Sequence, residues 1–435
     1  MAITVGVVEQ TSAKGSGGPL VERRFLLAFA VVTSLFYMWA IANNFNDILI
    51  KQFQKALELS RMQSGIVQTA FYFGYFTFAI PAGWAITRFG YKAGIIAGLG
   101  LYAAGALLFY PAADVRQFGF FLVALYIIAA GLAFLETAAN PLIAAMGSSK
   151  TAAQRLNLAQ SFNGLGGFCA PFIGGALIFS GIEHTAQEIA AMTPAEVDAY
   201  RASEALAVQT PYLGLAAVVI CLAILVAIVR FPRIEETSHV YEHEERRPLW
   251  SFHHLRWAVV AQFFYVGAQV TVWSYFINFA QDLSGVGEKT AAYYLGVSLF
   301  AFMIGRFAGT ALMQFIAPAR LLMIYGIVAA LLCAVAMAAS GMIAIVALGL
   351  TSFFMSVMFP TIFSLGVAEL GERTKLGSSL LVMAIIGGAL FPPLTGFIGE
   401  QAGSLQIAMV APLGCFIVVA LFGRYMHRWL SERNA

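Results

Sequence analysis

Gly166-Gly167-Phe168-Cys169-Ala170-Pro171-Phe172-Ile173-Gly174-Gly175 returns in outline as Gly387-Gly388-Ala389-Leu390-Phe391-Pro392-Pro393-Leu394-Thr395-Gly396. In both places the skeleton Gly-Gly-x-x-x-Pro-x-x-x-Gly lies inside a long apolar run. Glycine and proline are common in membrane helices, so one such match says little. Two others accompany it at corresponding places. Trp39-x-x-x-x-Asn44 is echoed by Trp273-x-x-x-x-Asn278, and Asn140-Pro141 by Phe359-Pro360. Together they read as a duplicated helical unit.

The composition requires those helices to face lipid. Of the 435 residues, 60% are hydrophobic and only 11% are Asp, Glu, Lys or Arg, against about 25% in soluble domains; the mean hydropathy is +0.80. So few charges cannot coat a water-facing surface, and a net charge of +3 is too small to point to nucleic acid. A span needs about 20 mostly apolar residues. Twelve are predicted, at 25–46, 64–86, 93–111, 118–146, 156–180, 211–230, 256–280, 291–314, 321–340, 342–368, 377–399 and 406–426. The expected fold is an all-α membrane protein with twelve transmembrane helices in two pseudo-symmetric six-helix bundles. Its parts are a cytosolic tail 1–24, a first half 25–230, a charged cytosolic loop 231–255, a second half 256–426 and a cytosolic tail 427–435. With both ends inside, inner segments hold 18 Lys and Arg and outer loops 6, as the positive-inside rule requires. The exception is the first outer loop, with Lys51, Lys55 and Arg61. No cleavable signal is visible: residues 1–20 are polar, and Arg23-Arg24 abut the first span.

Polar side chains are unevenly spread. Spans 3, 6, 9 and 12 are nearly bland, with Tyr102 and Tyr325 as almost their whole polar content, whereas spans 1, 2, 4, 5, 7 and 8 are polar. Bland helices suit the lipid-facing periphery, and polar ones must face one another or water. Every third helix is therefore expected outside, around a polar interior. Cys169, Cys221, Cys333 and Cys415 lack paired spacing and read as buried free thiols, with no metal site. No phosphate-binding loop is present, so ATP is not the expected energy source and no cofactor beyond a coupling proton is expected. The six histidines fall in loops or at span ends.

Ionisable side chains inside spans are costly, about 2.5–3.5 kcal/mol each at a helix centre. Glu136, deep in span 4, reads as a proton-exchanging carboxyl, or else as a structural polar partner. Asp47 ends span 1 in Asn43-Asn44-Phe45-Asn46-Asp47, with Asn43 and Asn44 on its own helical face; a helix-end cap is the competing reading. Gln160 and Asn163 lie one turn apart in span 5. Their amides both donate and accept, which suits sugar hydroxyls as well as interhelix contacts. Arg306, toward the inner end of span 8, is expected to snorkel to the headgroups or close a salt bridge rather than touch substrate. Among the aromatics, Trp273 stands apart because it mirrors Trp39, and a flat ring can stack on a sugar face.

In these residues the chain resembles the major facilitator superfamily. Gly83-Trp84-Ala85-Ile86-Thr87-Arg88-Phe89-Gly90-Tyr91-Lys92 is similar to that family's signature between spans 2 and 3, with Thr87 for the usual Asp and Tyr91 for the usual Arg. Within the superfamily it resembles the bacterial L-fucose:proton symporter family. Residues 39–49, Phe71-Tyr72-Phe73-Gly74-Tyr75-Phe76, Glu136-Thr137-Ala138-Ala139-Asn140-Pro141, 156–163 and 360–366 carry that likeness. The resemblance implies sugar import by alternating access in a bacterial inner membrane, with Asp47 and Glu136 in proton coupling. It implies a substrate cavity at Trp39, Asn44, Gln160, Asn163 and Trp273, to which the spacing adds Asn43. Phe359 replaces an expected Tyr, and Asn278 an expected basic residue. Both bear on sugar choice. The expected partners are a monosaccharide and the bilayer, with the chain working as a monomer and no enzyme activity. A glucose or galactose transporter, a drug antiporter and a non-transporting sensor are the alternatives.

Overall fold

A backbone crossing hydrocarbon must satisfy its own hydrogen bonds, so each apolar run closes into a helix. The computed structural model describes residues 19–57, 61–177, 186–229, 231 and 248–434. Most of the central loop lies outside the described residues, as do the side chains of Asn43 and Asp47. Span 1 is Leu26–Leu57, span 4 Phe118–Ala144, span 5 Ala152–Leu177 and span 6 Gln209–Ile228. Span 7 is His253–Ser284, span 8 Glu288–Leu312 and span 9 Pro318–Ala338. Spans 2 and 3 share Arg61–Val115 and part at Gly90, whose φ of +85° favours glycine. Span 10 is broken into Gly341–Met355 and Met358–Gly366. Span 11 is Thr374–Met383 and Gly387–Ala402, joined by the 3-10 turn Ala384–Ile386. Span 12 is Leu405–Ala408 followed by Val410–Asn434.

Among the described residues, nine stretches are long and apolar enough to cross a membrane by composition alone. Ile66–Val115 holds two spans, and spans 5 and 7 are absent from the nine. Those two carry buried Arg155, Asn157 and Gln160, and His254 and Gln262. Such polar side chains keep these two helices inside the bundle.

The two Gly-Gly pairs of spans 5 and 11 have a shared cause. A methyl group on Gly166 would collide with the Tyr37 carbonyl oxygen of span 1, and one on Gly387 with the Phe263 carbonyl oxygen of span 7. Span 5 thus beds on span 1 as span 11 beds on span 7, the close approach that small residues permit. Spans 6, 9 and 12 pack on helices of their own half and turn large apolar side chains outward, among them Ile224, Leu331 and Leu421. Cys333 and Cys415 are buried free thiols as expected, but Cys221 is exposed on the outward face of span 6 and Cys169 is half-buried.

Two features depart from the expected loops. Span 1 continues past residue 46 to Leu57, about three further turns. Between spans 5 and 6 lie two short helices, Ala186–Ala191 and Pro194–Leu206. The second starts with a capping box, in which Thr193 and Glu196 satisfy each other's backbone N–H groups. It packs along span 1 and is tied to the span 3–4 turn by Arg116 and Asp198 at 2.8 Å. The Arg116 guanidinium holds the Asp198 carboxyl below the usual carboxylate range.

Contacts between the halves gather on the face that carries both chain ends. Spans 5 and 8, 5 and 10, and 2 and 11 meet there. Asn157 Nδ2 of span 5 donates to Thr361 Oγ1 of span 10 at 3.0 Å, and the Lys375 ammonium sits 5.5 Å from the Tyr91 ring. Lys92 caps span 6 through the carbonyls of Ala227 and Val229, at 2.7 and 3.0 Å. Thr87 turns its hydroxyl to its own helix, donating to Gly83 O at 2.7 Å. Gly83 itself has no room for a Cβ, because Ser379 of span 11 fills the space. We predict that Gly83→Leu wedges this seam open. In a Ser379→Cys background, the cysteine should then react with an impermeant maleimide added on the termini side, whereas the Gly83 parent stays protected. Equal protection in both would dissociate the seam from Gly83.

Candidate functional site

Span 4 sets Glu136 and Asn140 one turn apart on one face, within a stretch buried all round from Ile128 to Ile143. Glu136 is 8% exposed. Its Oε1 accepts from the Tyr75 hydroxyl of span 2 at 3.2 Å, and its Oε2 has no partner among the described residues. Asn140 Oδ1 accepts from Gln160 Nε2 at 3.1 Å, while Asn140 Nδ2 is also without a partner among the described residues. A carboxyl oxygen and an amide donor are therefore left available in one buried patch. Leaving such groups unmet costs about 1–3 kcal/mol each, which a polar ligand or water removes.

Arg306 corrects an expectation. It neither snorkels nor pairs with a carboxylate among the described residues; it is 4% exposed. Its Nε donates to Ser356 O at 2.9 Å within its own half. Its Nη1 reaches across to span 5, donating to Gln160 O, to Gln160 Oε1 at 3.3 Å and to Asn163 Oδ1 at 3.3 Å. The Phe302 ring lies 4.6 Å from its Cζ. Snorkelling needs a free path to the interface, but neutral oxygens of both halves lie closer. The guanidinium is also within electrostatic range of Glu136 and of Tyr265. Asn163 then passes the network on, as its Nδ2 donates to Phe36 O of span 1 at 3.2 Å. One polar chain thus runs from Asn140 through Gln160, Arg306 and Asn163 to span 1.

Asn44 bonds Ala40 O of its own helix at 2.7 Å and lies against Gly167, where a Cβ would stand 3.2 Å from its Nδ2. Trp39 is buried and packs on Phe36, with ring centroids 4.2 Å apart. Its counterpart differs. Trp273 is half-buried, and its Nε1 donates to Ser352 Oγ at 3.1 Å. Ser352 shares a 2.6 Å bond with Ser298, so the indole plane is fixed from behind. Phe359 is half-buried near Tyr265 and Phe363, at centroid separations of 6.4 Å. Asn278 is exposed. Gln160 and Asn163 share a face as their spacing required, and both meet Arg306. Sequence reasoning missed Asn140 and Tyr75 as partners. The four-residue step from Glu136 to Asn140 was a usable signal, whereas nothing local singles out Tyr75.

Residues 24–392 match the family model of the Major Facilitator Superfamily. The chain belongs to that superfamily. Among curated major facilitator relatives, the L-fucose-proton symporter of Escherichia coli strain K12 is 45% identical over 411 residues, 93% of this chain and 94% of its own. The glucose/galactose transporter of Brucella abortus biovar 1 is 37% identical over 404 residues, 92% and 94% of the two chains. The crystal structure of the major facilitator transporter FucP in its outward conformation superposes with a TM-score of 0.85 at 44% identity, covering 93% of this chain and 99% of that one.

Removing the guanidinium strands several buried oxygens at once. Arg306→Met should lower stability by about 1–3 kcal/mol, read as a lower Tm in detergent. Arg306→Lys should recover only part, since an ammonium cannot span the same acceptors. An unchanged Tm for both variants would dismiss the bridge.

Proposed function

We propose that this chain is a secondary active transporter that carries L-fucose or a closely related monosaccharide inward together with a proton. In this reading it works as a monomer in the bacterial inner membrane with both termini cytosolic, rocking two halves around a midplane site. The observation that carries the reading is the buried Glu136 carboxyl, one turn from an Asn140–Gln160–Arg306–Asn163 network that crosses between the halves. The 45% identity to an L-fucose-proton symporter supports the substrate class.

The proposed chemistry follows from the donors and acceptors. A protonated Glu136 accepts from Tyr75 at Oε1 and donates from Oε2 to a sugar hydroxyl. The ionised form loses that donor, so sugar and proton favour each other's binding. Asp47 is proposed as a second acid on the outer side. Asn43, Asn44, Gln160 and Asn163 offer amides to the hydroxyl-rich edge of the sugar. Trp273 offers its flat face, while Trp39 backs the first half and Phe359 bounds the second. The inter-half contacts on the termini side support an outward-facing resting state. Because Phe359 brings no hydroxyl, a hexose of different hydroxyl arrangement is the second reading, in line with the glucose/galactose relative.

Two outcomes follow. Glu136→Gln should abolish sugar uptake driven by a pH gradient in proteoliposomes while retaining sugar exchange at zero gradient, and intact pH-driven uptake would remove Glu136 from coupling. Asn163→Ala should weaken sugar binding by about 1–3 kcal/mol, read by calorimetry with L-fucose, D-glucose and D-galactose in parallel. The sugar whose affinity falls most is the substrate assigned to this site, and wild-type affinity throughout would reject the contact.

A further inference from the structure

A concavity lies away from the polar network, on the outward side of the second half. Spans 9 and 12 cross tightly, with Gly326 against Ala420 and Gly423 against Met323 leaving no room for a Cβ. Beside the crossing runs an open groove of about 510 Å³. Its floor is Ala330 and Ala420, and its walls include the exposed Ile327, Leu331, Ile417 and Leu421. The lining positions step through 323, 327, 330, 331 and 334 on one helix and 413, 417, 420, 421 and 424 on the other. Each series keeps one helical face across twelve residues, a rise of about 16 Å. That is close to the hydrocarbon depth of one leaflet, about 15 Å.

The groove is apolar along its length and cationic at one end. Arg424 closes it on the face that carries the termini. Arg320, one residue from the Ala319 carbonyl that Gly423 approaches, flanks the same crossing. Arg428 follows one turn beyond Arg424. All three are exposed, and among the described residues none has its guanidinium in an ion pair. A greasy channel one leaflet long, ending in unpaired guanidinium groups at headgroup depth, has the chemistry of a phospholipid.

We propose that this groove is a binding site for an anionic phospholipid of the leaflet on the termini side. One acyl chain lies between spans 9 and 12, and the phosphate is held by Arg424 and Arg320. Neither arginine belongs to the transport site, so their loss leaves uptake chemistry in place while changing lipid retention. The test is native mass spectrometry and Tm of the full chain in detergent, with phosphatidylglycerol, phosphatidylethanolamine or soluble glycerol phosphate added. Wild type should retain phosphatidylglycerol in preference to phosphatidylethanolamine. Arg424→Gln and Arg320→Gln should each cut that preference about fivefold, and Ala330→Phe should displace both lipids. The arginine variants lie on the surface and keep the test sound if the filled groove fails to fold. No headgroup preference in wild type, or an undiminished one in both arginine variants, would overturn the proposal. An equal gain in Tm from glycerol phosphate alone would overturn it too, by assigning the arginines to free phosphate.

Discussion

Hydrocarbon offers no partner to a polar group, and the arrangement of this molecule follows from that single constraint. Arg155, Asn157, Gln160 and Arg306 are each buried in helices that cross the bilayer, and each finds oxygen acceptors on another element. Arg155 binds the carbonyls that end span 4, including Ile143 O at 2.8 Å, together with Leu20 O of the leading segment at 2.9 Å. Arg306 does the same between halves. Helices with such residues are forced inward, and the bland spans 6, 9 and 12 are left to meet lipid.

Much of this was legible in sequence because it is one-dimensional. Twelve apolar runs, the Gly-Gly-x-x-x-Pro repeat and the alternation of polar and bland helices are visible without knowing what touches what. The structure gives the repeat its cause, since Gly166 and Gly387 stand where backbone meets backbone. The pairing of Gln160 with Asn163 was likewise fixed by helical geometry alone.

What escaped was pairing over distance. Arg306 lies 143 residues from Asn163, and a lone arginine near a helix end ordinarily reaches for headgroups; only the packing of span 8 on span 5 reveals the nearer acceptors. Tyr75 and Glu136 are separated by 61 positions, with no periodicity to join them. The Pro194–Leu206 helix was missed for a different reason. Its Thr193-x-x-Glu196 capping box was there to be found, but a hydropathy scan does not look for water-facing helices.

The position of Arg306 has an electrical corollary. Its charge is fixed, its hydrogen-bond acceptors are neutral oxygens among the described residues, and it stands where the bundles abut. A lone hydronium or sodium ion working along that junction would approach an immobile positive charge in a poorly screening medium, a strongly repulsive encounter. The side chain that fastens the joint thus also opposes the passage of bare cations along it.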